Sequence, residues 1–327
     1  DNTIQSLFDR ERKLNPIIKN LLIMDSFDFT TDLNVNILGR IFEQSISDLE
    51  ELKEEKVSRR KKEGVFYTPE EITDYVCRNT IIPYLSKSGA NSIGELFLEY
   101  EKDIEELEKK FREIKILDPA CGSGAFLIKA VDILLEIHKE ILRLKIRNNP
   151  EKYSDNGQTK MDKWNEESEA KKIIENNIYG VDINPESVAI TKLALFLKIA
   201  ERGKKLSELT NNIKVGNSLI SDESIDNAFD WESEFPEIFP DEKGKRKENP
   251  GFDLVLGNPP YAKEMNNSEK FRPMKQSAYK IYCQGKMDYW HFFIHRAIDL
   301  LRNGGRLGLI TNTYWKKSSG ASKLKKR

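Results

Sequence analysis

The residues with the clearest capacity for chemistry lie in Asp253-Leu-Val-Leu-Gly-Asn-Pro-Pro-Tyr261, where an apolar run ends in an amide, two prolines and an aromatic ring. As a turn chosen for stability alone this is a poor sequence. Proline fixes φ and carries no N–H, so Pro259 and Pro260 can hold the Asn258 side-chain oxygen and the Pro259 carbonyl as two rigid acceptors. The planar amine of a base offers two N–H donors. Accepting both draws the amine lone pair out of ring conjugation and aims it at an electrophilic methyl group, while the Tyr261 ring stacks on the base.

Two further segments carry ligand-binding chemistry. Leu117-Asp-Pro-Ala-Cys-Gly-Ser-Gly-Ala-Phe126 reads as a strand that ends in a small-residue loop and opens a helix. Gly122 and Gly124 let the backbone approach a ligand closely, and free N–H groups at the helix start can face a carboxylate or other polar group. The segment is not the dinucleotide pattern and lacks the lysine of a phosphate loop; taken alone it is also an ordinary tight strand-to-helix turn. In Ile178-Tyr-Gly-Val-Asp-Ile-Asn-Pro185, Asp182 stands at the tip of a second strand, where a doubly wound fold holds a ribose diol. Asn184 and Pro185 read as the cap and first residue of the next helix.

The elements that must position these residues alternate along the chain. Strands are predicted at Ile114 to Leu117, Ile178 to Val181, Ile213 to Val215, Asp253 to Leu256 and Arg306 to Thr311, with helical periodicity over Phe126 to Ile146 and Pro185 to Arg202. This alternation predicts an α/β domain on a mostly parallel, doubly wound sheet. Ahead of it, Thr68 suits an N-cap, Pro69 a first helical turn and Glu71 the reciprocal capping position, predicting a helix from Pro69 to Tyr84. A charged helix is predicted over Gly94 to Arg112, and residues 4–56 carry helical spacing that suggests an N-terminal appendage. The division expected is a helical region over 1–62 and a catalytic domain over 63–327, with polar insertions near 147–168 and 221–250. The first insertion accounts for a Gly124 to Asp182 spacing far beyond the ~20 residues of a dinucleotide fold.

The 327 residues are 33% charged and 38% hydrophobic, with a formal net charge of −1. No apolar run is long enough to span a bilayer and no signal peptide is evident, so a soluble, cytoplasmic protein is expected. Cys77, Cys121 and Cys283 are odd in number and without metal-ligand rhythm, and His291 and His295 lack a third ligand, so no metal site is expected. The near-neutral balance argues against a uniformly basic nucleic-acid surface. Local candidates for phosphate contacts are Arg59, Arg60, Lys61, Lys270, Arg272 and Lys275, each of which is equally at home in a solvated loop.

Together the three segments resemble the amino-methylating DNA methyltransferases. Their order is similar to that of the adenine enzymes of the gamma arrangement, such as the methylase portion of type I and type IIG restriction-modification enzymes. The resemblance covers roughly Glu63 to Trp315. It implies a Rossmann-like, S-adenosylmethionine-dependent fold and methyl transfer to the N6 amine of a flipped adenine in double-stranded DNA, catalysed through Asn258, Pro259, Pro260 and Tyr261. It also implies cofactor contacts from Tyr67, Thr68 and Pro69 at the methionine end, and from Asp118, Pro119, Ala120, Gly122 and Gly124 in the glycine loop. Asp182 and Ile183 match the ribose and adenine contacts, and Asp288 and Tyr289 are candidate pocket residues. In Val215-Gly-Asn-Ser-Leu219, Asn217 with Ser218 stands where the family usually has an acid accepting from the cofactor's adenine amine; an amide oxygen accepts the same bond.

The alternatives are N4-cytosine, RNA or protein-glutamine methylation, since those amines share the planar geometry, and a non-catalytic DNA-binding or assembly role. The family reads its site through a specificity subunit or target-recognition domain, expected to be absent from these residues together with the last sheet strands. Pro240-Asp241 has no partner suited to a nuclease.

Overall fold

In the computed structural model of the chain, the residues described are 68–155, 158–199, 211–221, 227–239 and 249–327. The expected helical appendage, its boundary with the catalytic domain, Tyr67, the cationic run from Arg59, and Pro240-Asp241 lie outside them.

The five predicted strands are the five strands of one sheet: β1 (Ile116–Asp118), β2 (Ile178–Asp182), β3 (Ile213–Val215), β4 (Phe252–Gly257) and β5 (Leu301–Leu309). They lie in the order β3-β2-β1-β4-β5, and every pairing is parallel. Asp118 pairs with Gly180 across β1 and β2, Leu117 with Val255 across β1 and β4, and Gly257 with Leu309 across β4 and β5. Burial of both sheet faces explains why β1 and β4 are buried along their whole lengths and read as apolar runs rather than alternations.

Side chains nevertheless alternate between two cores. Ile116, Ile178, Leu254 and Leu256 face one. There they meet α1 (Glu70–Leu85), α2 (Ile93–Glu99), α3 (Ile104–Glu113), α4 (Ala125–Asn148) and α5 (Glu166–Asn177). Leu117, Tyr179, Val181, Phe252 and Val255 face the other. Three longer helices follow: α6 (Pro185–Leu197) after β2, α7 (Ser268–Gln276), and α8 (Trp290–Leu300) leading into β5. None of the described helices is long and apolar enough to cross a membrane.

Four expectations are corrected. The helix after Thr68 begins at Glu70, with Pro69 in the cap position and no side-chain cap bond; the Thr68 hydroxyl is engaged elsewhere, as described below. The charged helix predicted over Gly94 to Arg112 is two helices, broken between Tyr100 and Asp103, where Asp103 caps α3 by accepting from the Glu106 N–H. The last strand runs from Leu301 to Leu309 rather than from Arg306 to Thr311, because β5 enters directly from α8 and begins pairing at Leu301, with Gly304-Gly305 in the bulge before Arg306. The segment predicted as a polar insertion over 221–250 is in part core: Phe229, Trp231, Phe235 and Ile238 are buried against the second sheet face.

In that plug Trp231 sits edge-on to Phe229 and Phe252, with ring centroids 4.9 and 6.3 Å away. Its indole N–H donates to the Ser218 carbonyl at 3.2 Å, so the aromatic cluster also anchors the loop that follows β3. At the opposite end of the sheet, buried Asp253 is matched by Arg302 at 2.6 Å, the Lys115 N–H at 2.6 Å and the Tyr84 hydroxyl. Replacing Trp231 with Ala should destabilise the domain by roughly 3 to 5 kcal/mol, read from the midpoint of urea unfolding. A loss under about 1 kcal/mol would mean that the plug is peripheral to the fold.

Candidate active site

In an open parallel sheet, ligands bind beyond the carboxyl ends of the strands where the order reverses. Here that point is the seam between β1 and β4, whose last residues are Asp118 and Gly257. Gly257 has φ of 148°, and a Cβ there would lie 2.7 Å from Asp118 Oδ1, so only glycine lets the two strand ends close. Asp118 is 1% exposed, and its Oδ1 accepts from the Ala120 N–H at 3.0 Å. Burial, reinforced by the neighbouring Asp182 charge, pushes its carboxyl up to about 8. At neutral pH it holds a proton.

The glycine loop beyond β1 is clamped from both sides. Gly122 and Gly124 have φ of 53° and 87°. The Gly122 N–H donates to Asp182 Oδ2 at 2.9 Å, and the Thr191 hydroxyl of α6 donates to the Gly122 carbonyl at 2.7 Å. A Cβ on Gly124 would meet the Thr191 methyl at 2.9 Å. Thr191 was not singled out in the sequence; its signal is only its place on the α6 face turned toward the loop. Because Gly124 is the cap residue, α4 starts without a side-chain cap, leaving first-turn N–H groups and the positive end of the helix dipole beside the loop. Ser218, buried to 4%, donates to the Pro119 carbonyl at 2.5 Å. Its hydroxyl therefore acts as a strut under the glycine loop.

Asp182 also accepts from the Asn184 N–H through Oδ1 at 2.9 Å. Asp182 thus braces the loops on both sides of the strand end. Asn184 caps α6 as expected, accepting from the Glu186 and Ser187 N–H groups at 2.8 and 3.1 Å. Ile183 is 52% exposed, an apolar side chain presented at the strand end. Asn217 Oδ1 accepts from the Leu219 N–H at 3.1 Å and keeps one acceptor position.

Asn258 completes the seam. Its Nδ2 donates to the Thr68 hydroxyl at 3.1 Å, which explains why Thr68 is buried and does not cap α1. The other end of the amide, Oδ1, is buried and has no hydrogen-bond partner. A buried acceptor left empty costs on the order of 1 to 3 kcal/mol, so this oxygen is suited to receiving a donor. Tyr261 is half-buried and its hydroxyl donates to the Ile310 carbonyl at 2.9 Å, while the Ile310 N–H donates to the Gly257 carbonyl at 3.0 Å. The ring is thereby tied to the chain leaving β5, a link that no sequence pattern announced.

The loop after Tyr261 packs on its own aromatic cluster, which includes Phe271, Tyr279, Tyr289 and Phe292. Tyr289 is thus core rather than pocket wall, and Asp288 is bridged to Lys263 across the loop base. Of the basic residues there, Lys275 pairs with Glu264 at 2.7 Å and Lys270 lies 4.8 Å from the Tyr289 ring centroid, whereas Arg272 is exposed. His291 and His295 are buried on α8, and burial pushes both down to about 4.

This geometry accords with likenesses to known proteins. Residues 176–327 match the Eco57I restriction-modification methylase family model, and residues 108–198 match that of the RMKL-like methyltransferase domain. The type II restriction enzyme and methyltransferase RM.Eco57I of Escherichia coli is 29% identical over 333 residues, covering 95% of this chain and 30% of that protein. The adenine-specific methyltransferase PglX of Streptomyces coelicolor is 25% identical over 324 residues, covering 90% of this chain and 22% of that protein. The fold resembles the type IIL restriction-modification enzyme MmeI in its complex with DNA, with a TM-score of 0.50 and 19% identity over 82% of this chain and 31% of that one. The chain thus spans less than a third of each of these proteins. Fold and likenesses together define the class: an α/β domain similar to the methyltransferase domains of restriction-modification methylases.

The Asp118 carboxyl supplies a test of the seam itself. Its folded value lies above the ordinary 3.8, so the stability it allows is full below that value and is lost as pH rises toward about 8. Asp118→Asn, a neutral isostere, should therefore be more stable than the parent protein by a margin that widens from about pH 5 to about pH 8, read from urea unfolding. A margin that is constant, or that favours the parent, would mean that Asp118 is ionised in the free protein.

Proposed function

We propose that this chain is the catalytic portion of a site-specific DNA methyltransferase that transfers a methyl group from S-adenosylmethionine to the N6 amine of an adenine flipped out of the duplex. The observation that carries this reading is the empty, buried Oδ1 of Asn258, held by Thr68 at the seam where ligands enter such a sheet. The likenesses to adenine-specific and restriction-modification methyltransferases favour adenine in DNA over cytosine, RNA or protein amides.

The residues around the seam fit the methyl donor. Asp182 places a carboxylate at the strand end suited to a ribose diol, Ile183 offers an exposed apolar surface to a purine, and Asn217 its free acceptor position to an exocyclic amine. The open first turn of α4 and the glycine backbone suit the carboxylate of an amino-acid tail. Asp118, protonated when the site holds no cation, regains its charge beside a positively charged ligand. Bound there, S-adenosylmethionine supplies an activated sulfonium methyl, so no covalent nucleophile is required of the protein.

What the chain adds is alignment and desolvation. Asn258 Oδ1 and the Pro259 carbonyl accept the two amine protons, turning the nitrogen lone pair toward the methyl group. Pro260 fixes the turn, and Tyr261, anchored through its hydroxyl, offers a ring for the base to stack on. With the methyl donor bound, transfer would place growing positive charge on the amine. The same two acceptors stabilise it until the extra proton leaves to solvent. Adenine reaches this slot only outside the stack, at a cost of a few kcal/mol. We further propose double-stranded DNA as partner and a specificity subunit or target-recognition domain as the reader of sequence.

Asn258→Ala should slow single-turnover transfer by about 100- to 1,000-fold, the loss expected for one aligned acceptor, with S-adenosylmethionine affinity nearly unchanged. Thr68→Val, which frees the amide without removing it, should cost about tenfold or less. Transfer by Asn258→Ala near the parent rate would reject the role of the amide, and N4-methylcytosine in the digested product would overturn the base assignment.

Asp182→Ala should weaken S-adenosylmethionine binding by about tenfold or more, as expected when hydrogen bonds to a charged group are lost. Calorimetry reads it directly; unchanged affinity would move the ribose site elsewhere.

A further inference from the structure

The segment between α4 and α5, expected only as a polar insertion, helps enclose a cleft of about 780 Å³ remote from the seam. Its walls come from α3, the second half of α4, the short helix Pro150–Tyr153 with the chain that follows it, and the start of α5. Gly124 precedes α4 and His138 is the first α4 residue to line the cleft. At 1.5 Å per residue the cleft therefore opens roughly 20 Å down the helix from the glycine loop, toward the edge where the sheet strands begin.

Six cationic and three acidic side chains line it. The acids are consumed by neighbours: Lys145 pairs with Glu105 at 2.7 Å and with Glu108, Arg112 with Glu108 at 2.6 Å, and Lys172 with Glu169 at 2.7 Å. Among the described residues Lys152, Lys160 and Lys163 carry no ion pair. Two of these converge with Lys145 on one buried ring, their ammonium groups lying 5.5, 4.8 and 5.7 Å from the Tyr153 centroid. Lys152, Lys160 and Lys163 are exposed along the cleft and bring positive charge that no described carboxylate offsets. Trp164 also lines the cleft, and its indole N–H is buried without a hydrogen-bond partner.

We propose that this cleft binds a polyphosphate chain, free or as the tail of a nucleoside polyphosphate. Three unpaired ammonium groups and an empty indole donor match a ligand with several charged oxygens in a row better than they match a single-charge anion. The volume falls within the range of small-molecule sites. Duplex DNA seated beyond the strand ends meets the opposite edge of the domain, so the cleft serves a separate ligand.

The test is calorimetric titration of the full chain at physiological salt with inorganic triphosphate and, separately, with magnesium-free ATP. Saturable binding is expected, weakened about tenfold or more by the Lys152→Gln/Lys160→Gln pair and again by Lys163→Glu, with S-adenosylmethionine affinity unchanged in both. Equal affinity for the two probes would identify the phosphate chain alone as the ligand. Tighter binding of ATP, abolished by Trp164→Ala, would place a nucleoside against the indole. Absence of binding, or binding indifferent to these lysines, overturns the proposal. So does weaker duplex binding by the lysine variants when triphosphate does not bind, which would make the cleft a nucleic-acid contact.

Discussion

The site depends on one hydrogen bond that joins residues 190 apart in the chain: Asn258 Nδ2 to the Thr68 hydroxyl. An amide left to rotate would present its oxygen and its NH₂ group to the seam with comparable ease, and the NH₂ group would repel any N–H donor placed there. Thr68 takes the NH₂ group and so leaves the oxygen inward. That arrangement requires α1 to be firmly seated. It is seated by Gly308, where any side chain would collide with Thr80, and by ion pairs across to α4, Lys129 with Glu70 at 2.8 Å and Arg78 with Glu136 at 2.8 Å. The exposed pairs contribute little individually; the close helix-to-strand contact at Gly308 does more to fix the distance.

A second constraint acts at right angles to the first. Gly257 and Asp118 must touch for β1 and β4 to pair to their ends, which buries a carboxyl that folding would rather leave in water. The domain accommodates it by keeping the proton. Asp182, one strand over, is braced instead by backbone N–H groups from both flanking loops. The arrangement trades stability for a place where positive charge is welcome, as functional sites commonly do.

The five strands and the seam were legible in the sequence because parallel strands buried on both faces leave uninterrupted apolar runs, and because Asp118, Asp182 and Asn258 each end one. Asn184 and Pro185 announced the start of α6 by chemistry that acts within three residues. What stayed hidden was decided by partners distant along the chain. Thr68 looks like a cap until Asn258 is placed beside it, and Thr191 looks like any polar helix residue until Gly124 closes on its methyl group. The aromatic plug of Phe229, Trp231 and Phe235 was masked by the acidic residues interleaved with it, whose side chains face outward from a turn too short for periodicity to register.

The sheet order also has a consequence for biosynthesis. β1 pairs with β2 early, but its other edge waits for β4, whose Leu254 lies opposite Ile116 from 138 residues further along. At about 5 to 20 residues per second, that edge stays open on the ribosome for on the order of ten seconds, with Leu117 and its unpaired backbone exposed. Nascent chains of intermediate length are therefore the species most prone to mispairing and most dependent on chaperones. Shortening the intervening loops would relieve that interval without touching the finished fold.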